Sequence, residues 1–497
     1  METVPAAVAH AASEFGREPA LVDPYQRRWN FAELHDEAQT VARALIASGI
    51  EPGDRVALWA PNSARWVLSA LGVLCAGATL VPINTRFTGV EAADIITRSD
   101  AKGLIVTGPF LGADRLASLP ASALPPFVLP LPHWDAFLDR AGETAAEAAS
   151  ERSSAVRPDD LSDILFTSGT TGISKGVMSA HRQSLGVARA WSDIGGVTVR
   201  DRYLVVNPFF NSFGLKAGLL ACLTSGATIV PQAVFDVPRT IDLIEHEHIT
   251  VLPGPPTLYI GLLDHPGRAG RSLGSLRLAV TGAATVPPVL VDRIRDELGF
   301  ATVLTAYGLT EAVVATMCRP GDDTRTVAHT SGRAAAGFEV RIAEKDGEVL
   351  LRGPNLMLGY LDDPAATAAA IDPDGWLHTG DVGRFDEREN LTITDRLKDM
   401  YICGGFNVYP AEVERALAGL SGVAEAAVVG VPDERLGEVG RAYVVARPGH
   451  ELDPDAVIAW CRERLAGYKA PRSVEVRAEL PHNASGKVLK YLLREEA

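Results

Sequence analysis

The sequence has 497 residues, of which 47% are hydrophobic and 22% are charged, a composition typical of folded globular proteins. The length indicates roughly two to four folding units rather than a single core. The formal net charge of −15 argues against nucleic acid or an anionic membrane as the main partner, although a local basic site could still hold a nucleotide.

Three features predict a cytoplasmic protein. The first residues, METVPAAVAHAASEFGRE, lack the basic region and the apolar core of a secretory signal. The most apolar stretch, residues 67–83, is shorter than a membrane span of about 20 residues and is typical of a buried helix that runs into a strand. Five cysteines without CxxC spacing predict reduced thiols rather than zinc ligands or disulfides: Cys75, Cys222, Cys318, Cys403 and Cys461.

The first two thirds of the chain alternate between short strand-like runs and helix-like stretches. The strand-like runs are RVALWAP, ATLVPIN, KGLIVTG, RYLVVNPFF, ATIVPQAVF, ITVLPGPP, LRLAVTGAA and ATVLTAYG. Helix-like stretches such as RTIDLIEHEH and PPVLVDRIRDELG separate several of them. This alternation predicts α/β layers with largely parallel sheets, in which ligands bind at the carboxyl ends of strands. The Ala/Pro-rich residues 112–132 are predicted to form a surface loop.

From about residue 330 the pattern becomes antiparallel. FEVRIAEKDGEVLLRGP and NLTITDRLKDMYICGG indicate strand pairs, with turns at KDG and EREN. Farther on, YPAEVERALAGL predicts a helix that starts at Pro410, AEAAVVGV and GRAYVVAR predict strands, and DPDAVIAWCRERLAG predicts a second helix. We therefore place a boundary near residues 396–398, ahead of a small α+β unit of about a hundred residues.

The segment FTSGTTGISKGV (166–177) has the composition of a phosphate-binding loop. It is not a Walker A motif, because Lys175 follows Ser174 and precedes Gly176 instead of standing between glycine and a serine or threonine. The segment could be a flexible, hydroxyl-rich hairpin without a ligand. It could also be a clamp in which glycines let backbone N–H groups converge on phosphate oxygens and hydroxyls add further donors.

Other motifs follow in a fixed order. They are GAATVP (282–287), TAYGLTE (305–311), GYL (359–361), WLHTGDVG (376–383), TDRLKD (394–399), GGFNVYPAEVE (404–414) and PHNASGK (481–487). Each alone could be a loop without function, but together they resemble the ANL superfamily of adenylate-forming enzymes. This superfamily contains acyl-CoA synthetases, adenylation domains and luciferases, and the resemblance covers essentially the whole chain.

The resemblance implies an α/β fold with two domains. Residues 1–396 would form a large N-terminal domain of layered α/β sheets with a β-barrel-like subdomain, and residues 397–497 a small, mobile α+β domain. It also implies that MgATP activates a carboxylic acid to an acyl-adenylate with release of pyrophosphate, and that a thiol, that of coenzyme A, then takes the acyl group.

The resemblance further implies the residues of the ATP site. The clamp that holds the β- and γ-phosphates comprises Thr167, Ser168, Gly169, Thr170, Thr171 and Lys175. Tyr307 would stack on adenine, and the walls of that pocket are Gly282, Ala283, Ala284, Ala306 and Gly308. Thr310 would bind the α-phosphate and Glu311 a Mg²⁺ ion, since a hard cation requires oxygen ligands.

The remaining implied residues belong to the ribose site and to the small domain. Asp381 and Arg396 would bind the ribose hydroxyls, although such a pair can also be a plain surface ion pair. Lys487 corresponds to the adenylation lysine, whose ammonium lowers the repulsion between carboxylate and α-phosphate. Gly404, Gly405 and Phe406 would line the CoA tunnel. Because one domain cannot present Lys487 and this tunnel to the same centre at once, a hinge rotation at Lys398 is expected.

Within the superfamily, the chain most resembles actinobacterial CoA ligases for polycyclic, steroid-derived propanoates. Asn211 and Phe213, with Gly282 and Gly308, would line the acyl pocket. Asn211 stands where relatives usually carry histidine, and the segment after Glu311 is about two residues shorter, which together suggest an unusual, bulky acid such as a terpenoid or polyketide-like carboxylate from specialised metabolism. Ser174 stands where many relatives carry proline, which would loosen the phosphate clamp.

Three alternatives remain open at this stage. The enzyme could adenylate weakly and thioesterify a preformed acyl-adenylate, it could load a carrier-protein thiol instead of CoA, or it could be a silent nucleotide-binding protein. The last is disfavoured because Glu311, Asp381, Arg396 and Lys487 are all present. The expected partners are a small carboxylic acid and CoA, without nucleic acid or membrane insertion, and a homodimer is compatible with the sequence.

Overall fold

The computed structural model describes most of the chain. The described residues are 2–23, 27–167, 174–282, 286, 288–397, 399–403, 406–433, 435–465, 467–482 and 488–496, with the backbone alone at Phe406 and Asn407.

Helices occur throughout the described residues. Those up to residue 225 are α1 (Val4–Phe15), α2 (Phe31–Ala47), α3 (Ala64–Cys75), α4 (Gly89–Arg98), α5 (Trp134–Asp139), α6 (Ala146–Ala155), α7 (His181–Gly195), α8 (Ser212–Gly214) and α9 (Ala221–Ser225). The helices that follow are α10 (Val237–His246), α11 (Pro256–Asp264), α12 (Pro288–Leu298), α13 (Thr324–His329), α14 (Pro364–Ala370), α15 (Pro410–Ala418), α16 (Pro454–Arg464) and α17 (Lys490–Glu495). A π-helical turn, Leu215–Leu220, joins α8 to α9.

The strands divide in the same way. Those of the first half are β1 (Pro19–Val22), β2 (Arg28–Asn30), β3 (Arg55–Trp59), β4 (Thr79–Pro82), β5 (Gly103–Val106), β6 (Pro109–Phe110), β7 (Ala113–Asp114), β8 (Phe127–Pro130), β9 (Leu161–Thr167), β10 (Lys175–Ala180), β11 (Arg202–Val205) and β12 (Thr228–Pro231). Those of the second half are β13 (Leu278–Gly282), β14 (Thr302–Tyr307), β15 (Thr316–Met317), β16 (Arg333–Ala334), β17 (Glu339–Ile342), β18 (Glu348–Arg352), β19 (Gly359–Tyr360), β20 (Leu377–Phe385), β21 (Leu391–Arg396), β22 (Tyr401–Cys403), β23 (Phe406–Val408), β24 (Val423–Asp433), β25 (Gly437–Ala446) and β26 (Ser473–Arg477).

The largest sheet has seven strands in the order β19-β10-β9-β4-β3-β5-β8. Strands β9, β4, β3, β5 and β8 run parallel, whereas β10 and β19 are antiparallel to their neighbours. The parallel layers predicted from the sequence are thus confirmed. The loop predicted over residues 112–132 is wrong in part, because Phe127–Pro130 is the edge strand β8 and pairs with β5.

A second sheet joins two four-stranded segments, β2-β1-β12-β11 and β13-β14-β15-β16. Single parallel bridges at Val251 and Gly254 connect β11 to β13. The strand predicted over ITVLPGPP is therefore reduced to isolated bridges, because its three prolines have no N–H group to donate to a neighbouring strand. The carboxyl ends of β11, β13 and β14 consequently lie along one edge of the same sheet.

The predicted antiparallel pairs are confirmed in part: β17 pairs with β18 across KDG and β20 pairs with β21 across EREN, whereas β21 and β22, the two strands of NLTITDRLKDMYICGG, lie in different sheets. Where a barrel-like subdomain was expected, β17, β18, β20 and β21 form a four-stranded antiparallel sheet. Farther along the chain, β23, β22, β25 and β24 form another sheet, with β26 parallel to β25. Helices α15 and α16 confirm the helices predicted from Pro410 and in DPDAVIAWCRERLAG.

Buried side chains form separate hydrophobic cores. Two lie within residues 4–393, and another is built from residues 401–493. The predicted boundary between residues 396 and 397 falls in the interval between these cores and remains a prediction. The five cysteines are buried and unbonded, and no helix in the described parts of the chain is long and apolar enough to cross a membrane.

Candidate active site

The residues predicted to surround adenine lie at the carboxyl ends of two parallel strands. Gly282 ends β13 and is in register with Ala306 on β14, while Tyr307 is the last residue of β14. A Cβ atom on Gly282 would lie 2.3 Å from the carbonyl oxygen of Ala306, and one on Gly308 would lie 1.8 Å from that of Val313. Both positions therefore require glycine, because the nearest atoms belong to the backbone and cannot move aside cheaply.

A tight turn after β14 carries Thr310 and Glu311, both half-buried. Val313, in the same turn, adopts a φ of +63°, a conformation that is strained for a β-branched side chain. The N–H of Ala315 returns to the carbonyl of Tyr307 at 2.9 Å and closes the turn. This geometry holds the two predicted phosphate- and metal-binding residues directly beside Tyr307.

The predicted ribose residues contact the predicted adenine residue. Asp381 on β20 is in register with Arg396 on β21, and the Arg396 Nε lies 3.1 Å from the Asp381 Oδ1. The hydroxyl of Tyr307 donates a hydrogen bond of 2.6 Å to the other carboxylate oxygen of Asp381. Asp381 is buried, so the pair is not the plain surface ion pair that the sequence left open.

Glu311 and Lys175 are joined through a residue whose role the sequence did not indicate. Tyr360 of the GYL motif donates a hydrogen bond of 2.8 Å from its hydroxyl to the Glu311 Oε1. The Lys175 Nζ lies over the same ring, 4.7 Å from its centroid. Tyr360 therefore bridges the turn that carries Glu311 and the strand that begins at Lys175.

The predicted phosphate loop connects two paired strands. Thr167 ends β9, Lys175 begins β10, and the two residues are in register. The Thr167 hydroxyl donates to the carbonyl oxygen of Lys175 at 3.4 Å, and Ser174 is half-buried. The strands thus bring both ends of the loop to the edge of the seven-stranded sheet beside Tyr360.

The residues predicted for the acyl pocket follow β11. Asn211 precedes α8 and is half-buried, and the ring of Phe213 packs edge-to-face against Trp191 with centroids 5.5 Å apart. Immediately beyond, Lys216 is buried in the π-helical turn, with its ammonium 3.0 Å from the Asp163 carboxylate. A π-helical turn of this kind is often found next to functional sites.

Several predicted residues lie outside the part of the chain that the structure describes. They are Ser168, Gly169, Thr170, Thr171, Ala283, Ala284, Lys398, Gly404, Gly405 and Lys487, together with the side chain of Phe406. Their roles remain predictions from the sequence.

The described part of the site has one carboxylate that could take a cation. Among the described residues, the Glu311 carboxylate makes no ion pair, and it accepts a hydrogen bond from Tyr360 alone. No group of three or more potential metal ligands occurs among the described His, Cys, Asp and Glu residues. This arrangement fits Mg²⁺, which is commonly held by one or two carboxylates together with substrate phosphates rather than by a cage of side chains.

Comparisons with known proteins identify the family of this chain. Residues 8–361 match the AMP-binding enzyme family and residues 412–487 match the AMP-binding enzyme C-terminal domain. The 3-(7a-methyl-1,5-dioxo-octahydro-1H-inden-4-yl)propanoyl:CoA ligase of Rhodococcus jostii strain RHA1 is 57% identical over 99% of this chain and 98% of its own. The enzyme of the same name from Mycobacterium tuberculosis strain H37Rv is 58% identical over 100% and 99%.

Among solved structures, the anthranilate CoA ligase AuaEII in complex with anthranoyl-AMP superposes with a TM-score of 0.88. It is 26% identical, and the match covers 100% of this chain and 97% of that one. The predicted superfamily and the predicted α/β architecture, with a large N-terminal and a small C-terminal part, are confirmed by these similarities.

Proposed function

The chain belongs to the AMP-binding enzyme family and is an AMP-forming acid–CoA ligase, and from that premise we propose that it activates a fused-ring propanoic acid and transfers the acyl group to coenzyme A. One observation carries the proposal at the level of the site. Two sets of contacts, Lys175–Tyr360–Glu311 and Tyr307–Asp381–Arg396, meet at the same segment, because Tyr307 ends β14 and Glu311 lies in the turn that follows it.

In the first half-reaction, a carboxylate oxygen of the acid attacks the α-phosphorus of ATP. The bond from that phosphorus to the bridging oxygen breaks, and pyrophosphate leaves. We assign Tyr307 to stacking on adenine and Asp381, oriented by Arg396, to accepting hydrogen bonds from the ribose hydroxyls. Lys175 and Lys487 supply positive charge to the phosphates and to the attacking carboxylate, which lowers the repulsion between two anions.

Glu311 is the residue that we assign to Mg²⁺. When bound, this cation would neutralise charge on the phosphate oxygens during the transfer. Thr310, one residue before Glu311, would donate a hydrogen bond to the α-phosphate. The close packing of Gly308 against Val313 holds both residues at a fixed distance from the adenine site.

In the second half-reaction, the thiol sulfur of CoA bonds to the acyl carbon. The bond between that carbon and the phosphate oxygen breaks, AMP leaves, and the thiol proton passes to solvent. The sequence assigns the CoA tunnel to Gly404, Gly405 and Phe406, and the hinge that exchanges this loop for Lys487 to Lys398. Both assignments, and a domain boundary at residue 396, are part of the proposal.

The identity of the acid is the most specific part of the proposal. The two bacterial relatives that share 57% and 58% of their residues with this chain carry the name of a bicyclic, dioxygenated propanoate. We infer an acid of that class, with Asn211 and Phe213 facing its rings. Weak adenylation and loading of a carrier protein are not favoured by these similarities.

The test supplies purified enzyme with MgATP, CoA and one of three acids: a fused-ring propanoate, a long-chain fatty acid or benzoic acid. Pyrophosphate release and the mass of the acyl-CoA are measured. The proposal predicts that the fused-ring acid has the highest kcat/KM and that thioester forms with CoA rather than with a holo-carrier protein. If no acid releases pyrophosphate while preformed acyl-adenylate is converted to thioester, adenylation is not a function of this enzyme.

Two variants test whether Lys487 acts in the first half-reaction and Gly405 in the second. Lys487→Ala should abolish pyrophosphate release and largely spare conversion of preformed acyl-adenylate, whereas a bulky substitution of Gly405 should do the reverse. Lys345→Ala, at an exposed turn between β17 and β18, removes a lysine outside the site and should leave both steps unchanged. Equal loss of both steps in Lys487→Ala would contradict the assignment.

A further inference from the structure

Tyr360 is held rigidly between two parts of the proposed phosphate site. It lies on the short edge strand β19, in register with Val177 of β10. On one side of this pair the N–H of Leu361 donates to the carbonyl of Gly176 at 2.7 Å, and the Tyr360 N–H donates to the Thr367 hydroxyl at 2.9 Å. The backbone of Tyr360 therefore cannot move without breaking the edge of the seven-stranded sheet.

The residue before Tyr360 fixes its direction. Gly359 has a φ of +145°, and a Cβ atom at this position would lie 2.9 Å from the Thr367 side chain. A side chain at residue 359 would therefore be strained by the positive φ and would require the Thr367 side chain to shift. The glycine lets the chain turn so closely against α14 that the ring of Tyr360 projects toward Glu311.

The hydroxyl of Tyr360 can act only as a donor to Glu311. An ionised carboxylate has no proton to donate, so the phenol hydroxyl is the donor in this pair. The hydroxyl proton is donated to Oε1 at 2.8 Å. The N–H of Met357 also donates to the backbone carbonyl of Glu311 at 2.8 Å. Residues 357–360 thus hold Glu311 at two points and leave its second carboxylate oxygen without a hydrogen-bond donor among the described residues.

The face of the ring holds the second charged group. The Lys175 ammonium lies 4.7 Å from the centroid of the Tyr360 ring, within the range of a cation–π interaction. Lys175 is half-buried and makes no ion pair with a described carboxylate. The ring therefore holds this lysine at the end of the phosphate loop without neutralising its charge.

We propose that Tyr360 is a positioning residue that aims the Glu311 carboxylate at a divalent cation and the Lys175 ammonium at the phosphates of the same nucleotide. The inference rests on the proposed function, because it assigns Glu311 and Lys175 to MgATP. It adds that hydroxyl and ring have separable effects, the first on the metal and the second on the nucleotide.

Two variants separate these effects. Tyr360→Phe removes the hydroxyl and keeps the ring, whereas Tyr360→Leu removes both. Binding of Mn²⁺ to the complex of enzyme and α,β-methylene ATP is measured from the loss of the free-ion signal in electron paramagnetic resonance. Nucleotide binding without any divalent ion is measured by calorimetry with the same analogue, which cannot release pyrophosphate.

The expected results differ between the two variants. Tyr360→Phe should raise the dissociation constant of Mn²⁺ about tenfold or more, the range found when a hydrogen bond to a metal-binding side chain is lost. It should leave metal-free nucleotide binding as in the unmodified enzyme. Tyr360→Leu should raise the dissociation constant of Mn²⁺ to the same extent. It should also weaken nucleotide binding in the absence of metal by roughly threefold to tenfold, because the cation–π contact is lost.

Tyr443→Phe is the matched control. Tyr443 is buried in the core of residues 401–493, and its hydroxyl donates to the carbonyl of Leu493 at 3.0 Å. This variant loses the same atom and one buried hydrogen bond, so it should lower the melting temperature without changing either binding constant. A purely structural effect of Tyr360→Phe would behave in the same way.

The outcomes separate this inference from the proposed function. If the unmodified enzyme binds α,β-methylene ATP but no Mn²⁺, or if Tyr360→Phe binds Mn²⁺ normally, the inference is wrong even though acyl-CoA is made. If Tyr443→Phe weakens Mn²⁺ by the same factor, the inference is also wrong. If no acid releases pyrophosphate but Mn²⁺ binding falls only in the Tyr360 variants, the positioning role stands and the proposed activity fails.

Discussion

The hydroxyl of Tyr307 donates a hydrogen bond of 2.6 Å to the Asp381 carboxylate, which also receives the Arg396 guanidinium. Burial, together with the Asp381 carboxylate, raises the pKa of Tyr307 well above its ordinary value, so the phenol stays protonated and the bond is retained across the working pH range. The residues proposed to bind adenine and ribose are therefore in direct contact, although they are 74 residues apart in the sequence.

This link predicts different effects for the ring and the hydroxyl of Tyr307. Tyr307→Ala should raise the dissociation constant of α,β-methylene ATP roughly tenfold or more, because stacking on a base contributes about 1–3 kcal/mol. Tyr307→Phe should change it less than about threefold, since Arg396 still orients Asp381. Asp381→Asn should weaken binding by about 10- to 100-fold, because hydrogen bonds to a charged acceptor are lost. Equal weakening in Tyr307→Phe and Tyr307→Ala, measured by calorimetry, would contradict the stacking role.

Gly308 is predicted to tolerate no side chain. In Gly308→Ala the new Cβ would lie 1.8 Å from the carbonyl oxygen of Val313, so the turn that carries Thr310 and Glu311 must shift. We expect loss of pyrophosphate release and a destabilisation of about 1–3 kcal/mol, the usual cost of overpacking. Urea unfolding and steady-state pyrophosphate release measure the two effects. Gly142→Ala, where a Cβ atom meets nothing within 4 Å, should change neither by more than about 0.5 kcal/mol.

Much of the fold follows from local sequence patterns. The short runs separated by helical stretches predict the parallel sheets, and KDG and EREN predict the turns of the antiparallel pairs, because these signals lie within a few residues of each other. The loop prediction over residues 112–132 is wrong in part because it used only such local signals. Proline and alanine mark it locally as a loop, but Phe127–Pro130 becomes a strand through pairing with β5, a contact that no local pattern reveals.

The site shows the same division between local and long-range information. Tyr307 and Glu311 are recognisable because they belong to one motif, TAYGLTE. The role of Tyr360 is not recognisable, since its partners Glu311 and Lys175 come from distant parts of the chain and meet only after the edge strand has paired. Lys216 looks like a surface lysine in the sequence, and only the folded structure shows that it is buried against Asp163.

Removing the Lys216 ammonium is expected to lower the free energy of unfolding strongly. This ammonium lies 3.0 Å from the Asp163 Oδ1 and donates to the Ser179 hydroxyl at 2.7 Å, while both Lys216 and Asp163 are buried. Lys216→Met would leave the carboxylate without its counter-ion and should lower the free energy of unfolding by about 3–5 kcal/mol. Adding Asp163→Asn should restore at least roughly half of the loss, because the amide oxygen still accepts hydrogen bonds and the buried charge is gone.

Urea unfolding followed by tryptophan fluorescence measures this effect. The exposed pair Lys102–Asp100, at 2.9 Å, provides the matched comparison, and Lys102→Met should cost no more than about 1 kcal/mol. If Lys216→Met costs no more than Lys102→Met, Lys216 does not stabilise the contact between β9 and the π-helical turn that precedes α9.

Protonation of His181 is expected to lower the free energy of unfolding at acidic pH. Its imidazole is buried, and its Nδ1 accepts the N–H of Val4 at 3.2 Å, which requires the neutral ring. Burial lowers the pKa of His181 to about 4, although the Asp163 and Asp160 carboxylates oppose part of this shift. The ordinary value of about 6.5 in the unfolded chain is higher, so the unfolded state binds the proton first as the pH falls. This group therefore contributes stability that is fully present above pH 6.5 and is lost progressively between about pH 6.5 and 4.

The predicted loss through His181 is about 3 kcal/mol across that window, at 1.36 kcal/mol for each unit of pKa difference. In His181→Gln the side chain does not titrate and can still accept the Val4 N–H, so the variant should lose about 3 kcal/mol less than the unmodified enzyme between pH 7 and pH 4. The free energy of unfolding is measured in urea at several pH values. His10→Gln, at an exposed position of α1, should keep the original slope, and a His181→Gln profile parallel to that of the unmodified enzyme would show that another group controls acid unfolding.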